Sequence, residues 1–174
     1  MKSNSTGIII RQAQPSDAEQ LIAFVQRLTE EPRINIVLGP GEFILTVEEE
    51  RKFVADYAAS DNSLLLVAEA DGRVVGALTC AGGRRQAVRH AATLGMSVAK
   101  EWRNRGVGSA LLARAVEWAR NNPVVSRVEL FVFVRNEAAI HLYRKFGFEV
   151  EGRRRKAVCR DGEHLDDLIM SLLL

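Results

Sequence analysis

The chain has 174 residues, of which 47% are hydrophobic and 26% charged, with a formal net charge of +2. This is the size and composition of one folded domain. It excludes disordered, collagen-like and low-complexity chains, and two cysteines, Cys80 and Cys159, are too few for a disulfide framework. The charge is unevenly spread: residues 1–60 carry 6 Lys/Arg against 9 Asp/Glu, a net of −3, and residues 61–174 carry 18 against 13, a net of +5.

The polar residues 1–7 are expected to be frayed, and residues 8–174 to form the domain. Ile8-Ile9-Ile10 is too short for a signal core or a membrane span, so the cytoplasm is the expected location, with free thiols and no membrane partner.

Residues 8–12, β-branched and short, predict a first strand. Pro15-Ser16-Asp17 opens a helix in which Leu21, Phe24/Val25 and Leu28 share a face, and Pro32 ends it. Residues 32–46, with two prolines and two glycines, read as a loop. Thr46 followed by Glu49 resembles a capping box and starts a helix to Ala59. Leu64–Ala70 and Arg73–Ala81 form a hairpin about Asp71-Gly72. A basic stretch with Arg84, Arg85 and Arg89 leads to a strand over Ala92–Val98. The helix after Gly108 carries Leu111, Ala115 and Trp118 on one face and stops at Asn121-Asn122-Pro123. Val128–Val134, apolar on both faces apart from Glu129, predicts a central strand. Residues 137–146 make a short helix ended by Gly147, and strands over Glu149–Arg160 and Leu165–Leu173 flank Asp161-Gly162. The order β-α-α-β-β-β-α-β-α-β-β describes one mixed α/β domain.

Two segments carry chemistry. In Arg103-Asn104-Arg105-Gly106-Val107-Gly108-Ser109, glycines let the backbone turn tightly between a strand and a helix. Successive N–H groups and the helix N-terminus then form an anion cradle suited to a pyrophosphate, with Arg103 and Arg105 adding full charges. It is not a P-loop, which needs G-x-x-x-x-G-K-[ST], and Leu111 stands where a dinucleotide fold has its third glycine. The second segment runs Asn136-Glu137-Ala138-Ala139-Ile140-His141-Leu142-Tyr143 to Gly147-Phe148.

Together, Arg103-x-x-Gly106-x-Gly108 and Asn136…Tyr143…Gly147-Phe148 resemble the signature of the GCN5-related N-acetyltransferase (GNAT) superfamily. The resemblance covers the chain from about Ile8 to Leu174, and within the family it is nearest to amino-acid and polyamine acetyltransferases. It implies an α/β (α+β) fold, a single domain with a central mixed, mostly antiparallel sheet flanked by helices. It also implies transfer of an acetyl group from acetyl-CoA to a primary amine by direct attack, without a metal.

By the same resemblance, the backbone of Met96, Ser97 and Val98 would hold the pantetheine arm. The N–H groups of Arg103, Asn104, Arg105, Gly106, Val107, Gly108 and Ser109 would hold the pyrophosphate. Asn136 would bond the pantetheine or shape the site. Tyr143, whose phenol is protonated at neutral pH, would be the general acid for the departing thiolate.

The general base stays open among Glu129, Glu101, His90, Glu30, Glu31 and water, with Glu129 on the strand beside the cofactor strand. The acidic first third suits a cationic amine, and Arg33, Arg84 and Arg85 suit a carboxylate-bearing one. Arg153-Arg154-Arg155-Lys156 reads as a solvated edge strand and, lacking interleaved aromatics, not as a nucleic-acid site. The competing readings are a ribosomal-protein or peptide N-terminal acetyltransferase and a non-catalytic acyl-CoA-binding module. Family members are often dimers, so a homodimer is expected on that ground.

Overall fold

The structure, a computed structural model, describes residues 7–174. Of the frayed start expected for residues 1–7, all but Gly7 lies outside the described residues.

Strand β1 (Ile9–Gln12) leads through a short turn at Pro15–Asp17 into α1 (Ala18–Thr29). Asp17 does more than favour a helix start: it accepts from the Gln14 N–H at 2.8 Å and receives both Arg11 guanidinium ends at 2.7 and 2.8 Å. Helix α1 stops three residues before Pro32, where the Thr29 hydroxyl turns back to the Gln26 carbonyl at 2.7 Å. Helix α2 (Val47–Ala59) starts from the expected box, the Thr46 and Glu49 side chains each accepting from the other's backbone N–H.

Strands β2 (Leu64–Ala70) and β3 (Arg73–Gly82) form the first hairpin, and β6 (Glu149–Arg160) and β7 (Glu163–Leu173) the last. Each has a two-residue turn in which both residues have positive φ, 51° and 72° at Asp71-Gly72 and 52° and 77° at Asp161-Gly162. This left-handed pair matches the twist of the flanking strands, which is why Asp-Gly is selected there. Between the hairpins lie β4 (Ala91–Val98), α3 (Val107–Asn121), β5 (Arg127–Phe133) and α4 (Glu137–Lys145).

The strands make one seven-stranded sheet in the order β1-β2-β3-β4-β5-β7-β6. Every neighbouring pair is antiparallel except β4 and β5. The larger core lies under α3 and α4. It joins Leu111, Leu112, Ala115 and Val116 to Leu78, Leu94, Val128, Leu130 and Met170 of the sheet. A smaller core on the other face joins Leu21, Phe24, Leu28 and Val54 of α1 and α2 to Leu65, Val67 and Val74.

That second layer stops short, because α1 packs on β3 and α2 on β2. The far face of β5 is therefore open at Phe131, 44% exposed, and closes again at Phe133, 5% exposed. The expectation of a strand buried on both sides fails here for that reason. The basic run on β6 is exposed on an edge strand, as expected, and two of its arginines are also paired, Arg153 with Asp166 and Arg154 with Asp167. A register shift with Lys156 at φ 52° breaks the simple alternation of faces.

Candidate active site

The parallel pair β4/β5 runs in register only from Ala91↔Arg127 to Leu94↔Leu130, after which the strands part. On the other side of β4 pairing continues to Gly76↔Val98, and Ala99 donates to the Val75 carbonyl at 2.9 Å. Backbone polar groups alternate sides along a strand. Ala99 and Ser97 therefore point toward β3, and Met96 and Val98 point into the gap. Of the three residues expected to hold a pantetheine arm, Met96 and Val98 turn backbone groups into the gap and Ser97 turns its own toward β3. The Val98 carbonyl already accepts from Arg103 Nε at 2.9 Å. Across the gap, Val134 donates to Asp166 on β7, which turns the backbone of Phe131 and Phe133 inward.

The glycine loop closes one end of this gap. Gly106 caps α3 at φ 83°, a conformation that favours glycine, and a Cβ there would meet nothing within 4 Å. No side chain caps this helix, and its first backbone bond is Ala110 N–H to Gly106 carbonyl. The N–H groups of Val107, Gly108 and Ser109 precede that bond, so they are the orphan donors of the first turn. Open space, three donors and a helix N-terminus suit a pyrophosphate. A Cβ on Gly108 would stand 3.5 Å from Leu142 and 3.6 Å from Met96, so the start of α3 sits between α4 and the gap strand.

The arginines of the loop divide. Arg105 lies over Trp102, 5.3 Å from its ring centroid, with Asn104 beside it at φ 58°. Arg103 turns away from the cradle, its Nε on the Val98 carbonyl and its Nη2 2.7 Å from Glu31. The structure therefore makes Arg103 a tie between the end of β4 and the loop after α1.

Helix α4 is set by its ends. Asn136 is its N-cap, accepting from Ala139 N–H at 3.4 Å. At the other end Gly147 has φ 91° and donates to the Arg144 carbonyl at 3.0 Å, and Phe148 donates to the Tyr143 carbonyl at 3.1 Å. This is a Schellman ending, and its usual apolar contact is Tyr143 with Phe148, ring centroids 5.7 Å apart. The motif that runs from Asn136 to Phe148 is thus a nine-residue helix with both stops supplied. It holds Tyr143, 6% exposed, in the larger core. Burial pushes the Tyr143 phenol up to about 12.

On the uncovered face of the sheet, Thr93 and Gly95 of β4 are exposed beside Phe131. Glu129 shares that face, two residues before Phe131, and accepts from Arg127 Nε at 3.0 Å and Nη2 at 2.9 Å. Arg127 also grips Glu151, and this, with the Ser171 hydroxyl, holds the Glu151 carboxyl down at about 2. Glu31 is taken by Arg103, while Glu30, Glu101 and His90 are exposed. Cys80 is wholly buried, and burial pushes its thiol up to about 12, so it is not a nucleophile.

The sequence reading missed a second set of residues around this face. Asp167, 1% exposed, receives Arg154 Nε at 2.8 Å and Nη2 at 2.5 Å. Arg154 lies over Phe131 at 4.2 Å, and Arg135 over Phe133 at 5.8 Å. Arg135 Nε also donates to Asn35 at 2.9 Å, and Arg160 Nη1 to the carbonyls of Ile36 and Leu38 at 2.9 and 2.8 Å. With Arg103 on Glu31, three arginines from three segments therefore hold the loop between α1 and α2. An aspartate at an inward position of apolar β7 was the one signal in the sequence that could have found Arg154.

A sheet parted at its parallel pair, with an anion cradle at one end of the gap and an open face beside it, has room for a long phosphorylated ligand. A profile of the Acetyltransferase (GNAT) family matches residues 26–148, and the chain belongs to that family. It is 45% identical over 106 residues to the L-amino acid N-acetyltransferase AaaT of Escherichia coli (strain K12), a stretch that spans 61% of this chain and 65% of that relative. The crystal structure of an acetyltransferase of the GNAT family from Streptococcus pneumoniae superposes with a TM-score of 0.91 at 35% identity, covering 96% of this chain and 99% of that one. The fold is shared, with a TM-score of 0.84 at 20% identity over 96% and 94% of the two chains, by yncA from Salmonella typhimurium, solved with its cofactor acetyl-CoA.

Proposed function

We propose that the protein transfers the acetyl group of acetyl-CoA to the primary amine of a small amino acid. The observation that carries this reading is the parting of β4 and β5 beyond Leu94 and Leu130, flanked by the Gly106 cradle and the open face at Phe131. The relative named as an L-amino acid N-acetyltransferase supports the choice of acceptor.

Acetyl-CoA supplies an activated thioester and a thiolate leaving group. The residues fit it: the donors of Val107, Gly108 and Ser109 would hold anionic oxygens, and the backbone groups of Met96 and the N–H of Val98 would orient an amide-bearing arm. The Val98 N–H is the candidate donor to a carbonyl oxygen that gains charge. Tyr143 holds the proton that a departing thiolate needs. Its raised pKa keeps the phenol protonated at neutral pH. Glu129 is the proposed acceptor of the amine proton, on position: it shares the face of Phe131 and sits two residues from the gap. Asn136 acts by fixing the start of α4 and hence the depth of Tyr143.

The reading includes a cytoplasmic location, supported by two cysteines that are free rather than bridged. It also includes a homodimer, for which exposed Val150, Leu173 and Leu174 offer apolar surface.

The test is thiol release from acetyl-CoA with a panel of L-amino acids, polyamines and short peptides. Acceleration by amino acids above the other amines supports the reading. Tight binding of acetyl-CoA with no acceleration by any amine replaces it with a binding module.

A further inference from the structure

We propose that Arg154 receives the carboxylate of the acceptor, so that the protein selects amines that carry an adjacent acid group. The proposal rests on the reading above and adds to it the residue that sets specificity.

Phe131 follows Leu130, the last residue of β5 paired to β4, so its ring marks the mouth of the gap on the uncovered face. An acceptor nitrogen that reaches a thioester in the gap must pass this ring. In an α-amino acid the carboxyl carbon lies roughly 2.5 Å from that nitrogen, from two backbone-type bonds. The group above the ring thus faces whatever the amine carries beside it. That group is the Arg154 guanidinium, 4.2 Å from the ring centroid.

Arg154 is also held in place. Buried Asp167 takes its Nε and Nη2 on one edge, and the phenyl ring supports its plane. A guanidinium has a second edge, and among the described residues Arg154 Nη1 donates to no protein group. An edge with two parallel N–H groups is the geometry that binds a carboxylate bidentately. Neutralising Asp167 would need only a positive charge, which a lysine also supplies. The flat, stacked, half-exposed fork is the additional feature. The other charged groups on this face are engaged elsewhere: Arg127 with Glu129 and Glu151, and Arg135 with Asn35 and Glu163.

The experiment compares kcat/KM for an L-amino acid and for its α-carboxamide, in the wild type and in Arg154→Lys, which keeps a charge beside Asp167. The wild type is expected to prefer the acid by about tenfold or more, the value of one charge-assisted pair. Arg154→Lys is expected to lose that preference through a higher KM for the acid, with the carboxamide unchanged. Arg154→Gln combined with Asp167→Asn leaves no unpaired buried carboxylate and gives the same result if Arg154 binds the acid. A preference that survives in folded variants overturns the proposal and leaves the acetyltransferase reading standing. Equal use of acid and carboxamide by the wild type overturns it likewise. If the wild type acetylates no amine, both fall.

Discussion

The proposed mechanism assigns its general acid to Tyr143, and the environment of that residue is unusual for a phenol. It is buried beside Phe148, and burial alone raises its pKa from 10 to about 12. The folded-state value lies above the unfolded one. The neutral phenol therefore contributes its full stability below about pH 10, and that contribution is lost as the pH rises toward 12. Tyr57 is also shifted upward by burial. An ultraviolet titration of the folded protein should show neither tyrosine half-ionised at pH 10, with the late component at about 12 absent in Tyr143→Phe. The same substitution should lower kcat by about 100-fold, the lower range for a lost general acid, with both KM values nearly unchanged. Unchanged turnover at saturation would remove Tyr143 from the acid role.

Helix α4 shows why a sequence motif can be read before a fold is known. Asn136, Tyr143, Gly147 and Phe148 are the N-cap, the residue three from the C-terminus, the left-handed stop and its apolar partner. Each acts on neighbours within a few positions, so their spacing carries the structure. The capping box of Thr46 and Glu49 and the two Asp-Gly turns were legible for the same reason. Gly147→Ala should cost about 1–2 kcal/mol, because L-residues resist φ 91°, and its Cβ would press Leu172 at 3.3 Å. In a chain of this length the melting temperature should fall by roughly 2–8 °C, at about 2–4 °C per kcal/mol. Asn136→Ala should cost about 1 kcal/mol. A thermal melt that moves for neither would show that α4 is held by packing alone.

At the scale of the whole molecule, the proposed function depends on where the sheet opens, and that was not legible. Parting of β4 from β5 is a relation between strands more than thirty residues apart, and no residue in Ala91–Val98 marks it. The ties of Arg103 to Glu31, Arg135 to Asn35 and Arg160 to Ile36 and Leu38 are equally non-local, so Arg103 read as a phosphate ligand instead of a brace. In the proposed reading these ties join the cofactor half to the loop on the acceptor side. Glu31→Gln should therefore raise the acceptor KM about fivefold, the effect of about 1 kcal/mol, and leave the KM for acetyl-CoA unchanged. The opposite split would return Arg103 to the cradle.

The central claim is that acetyl-CoA lies in the gap between β4 and β5. Backbone amide hydrogen exchange with and without acetyl-CoA tests it residue by residue. Slowed exchange at Met96, Val98 and Val107 to Ser109, with Ser97 unchanged because it is already bonded to β3, is the predicted result. Protection elsewhere, with these amides unmoved, would contradict it.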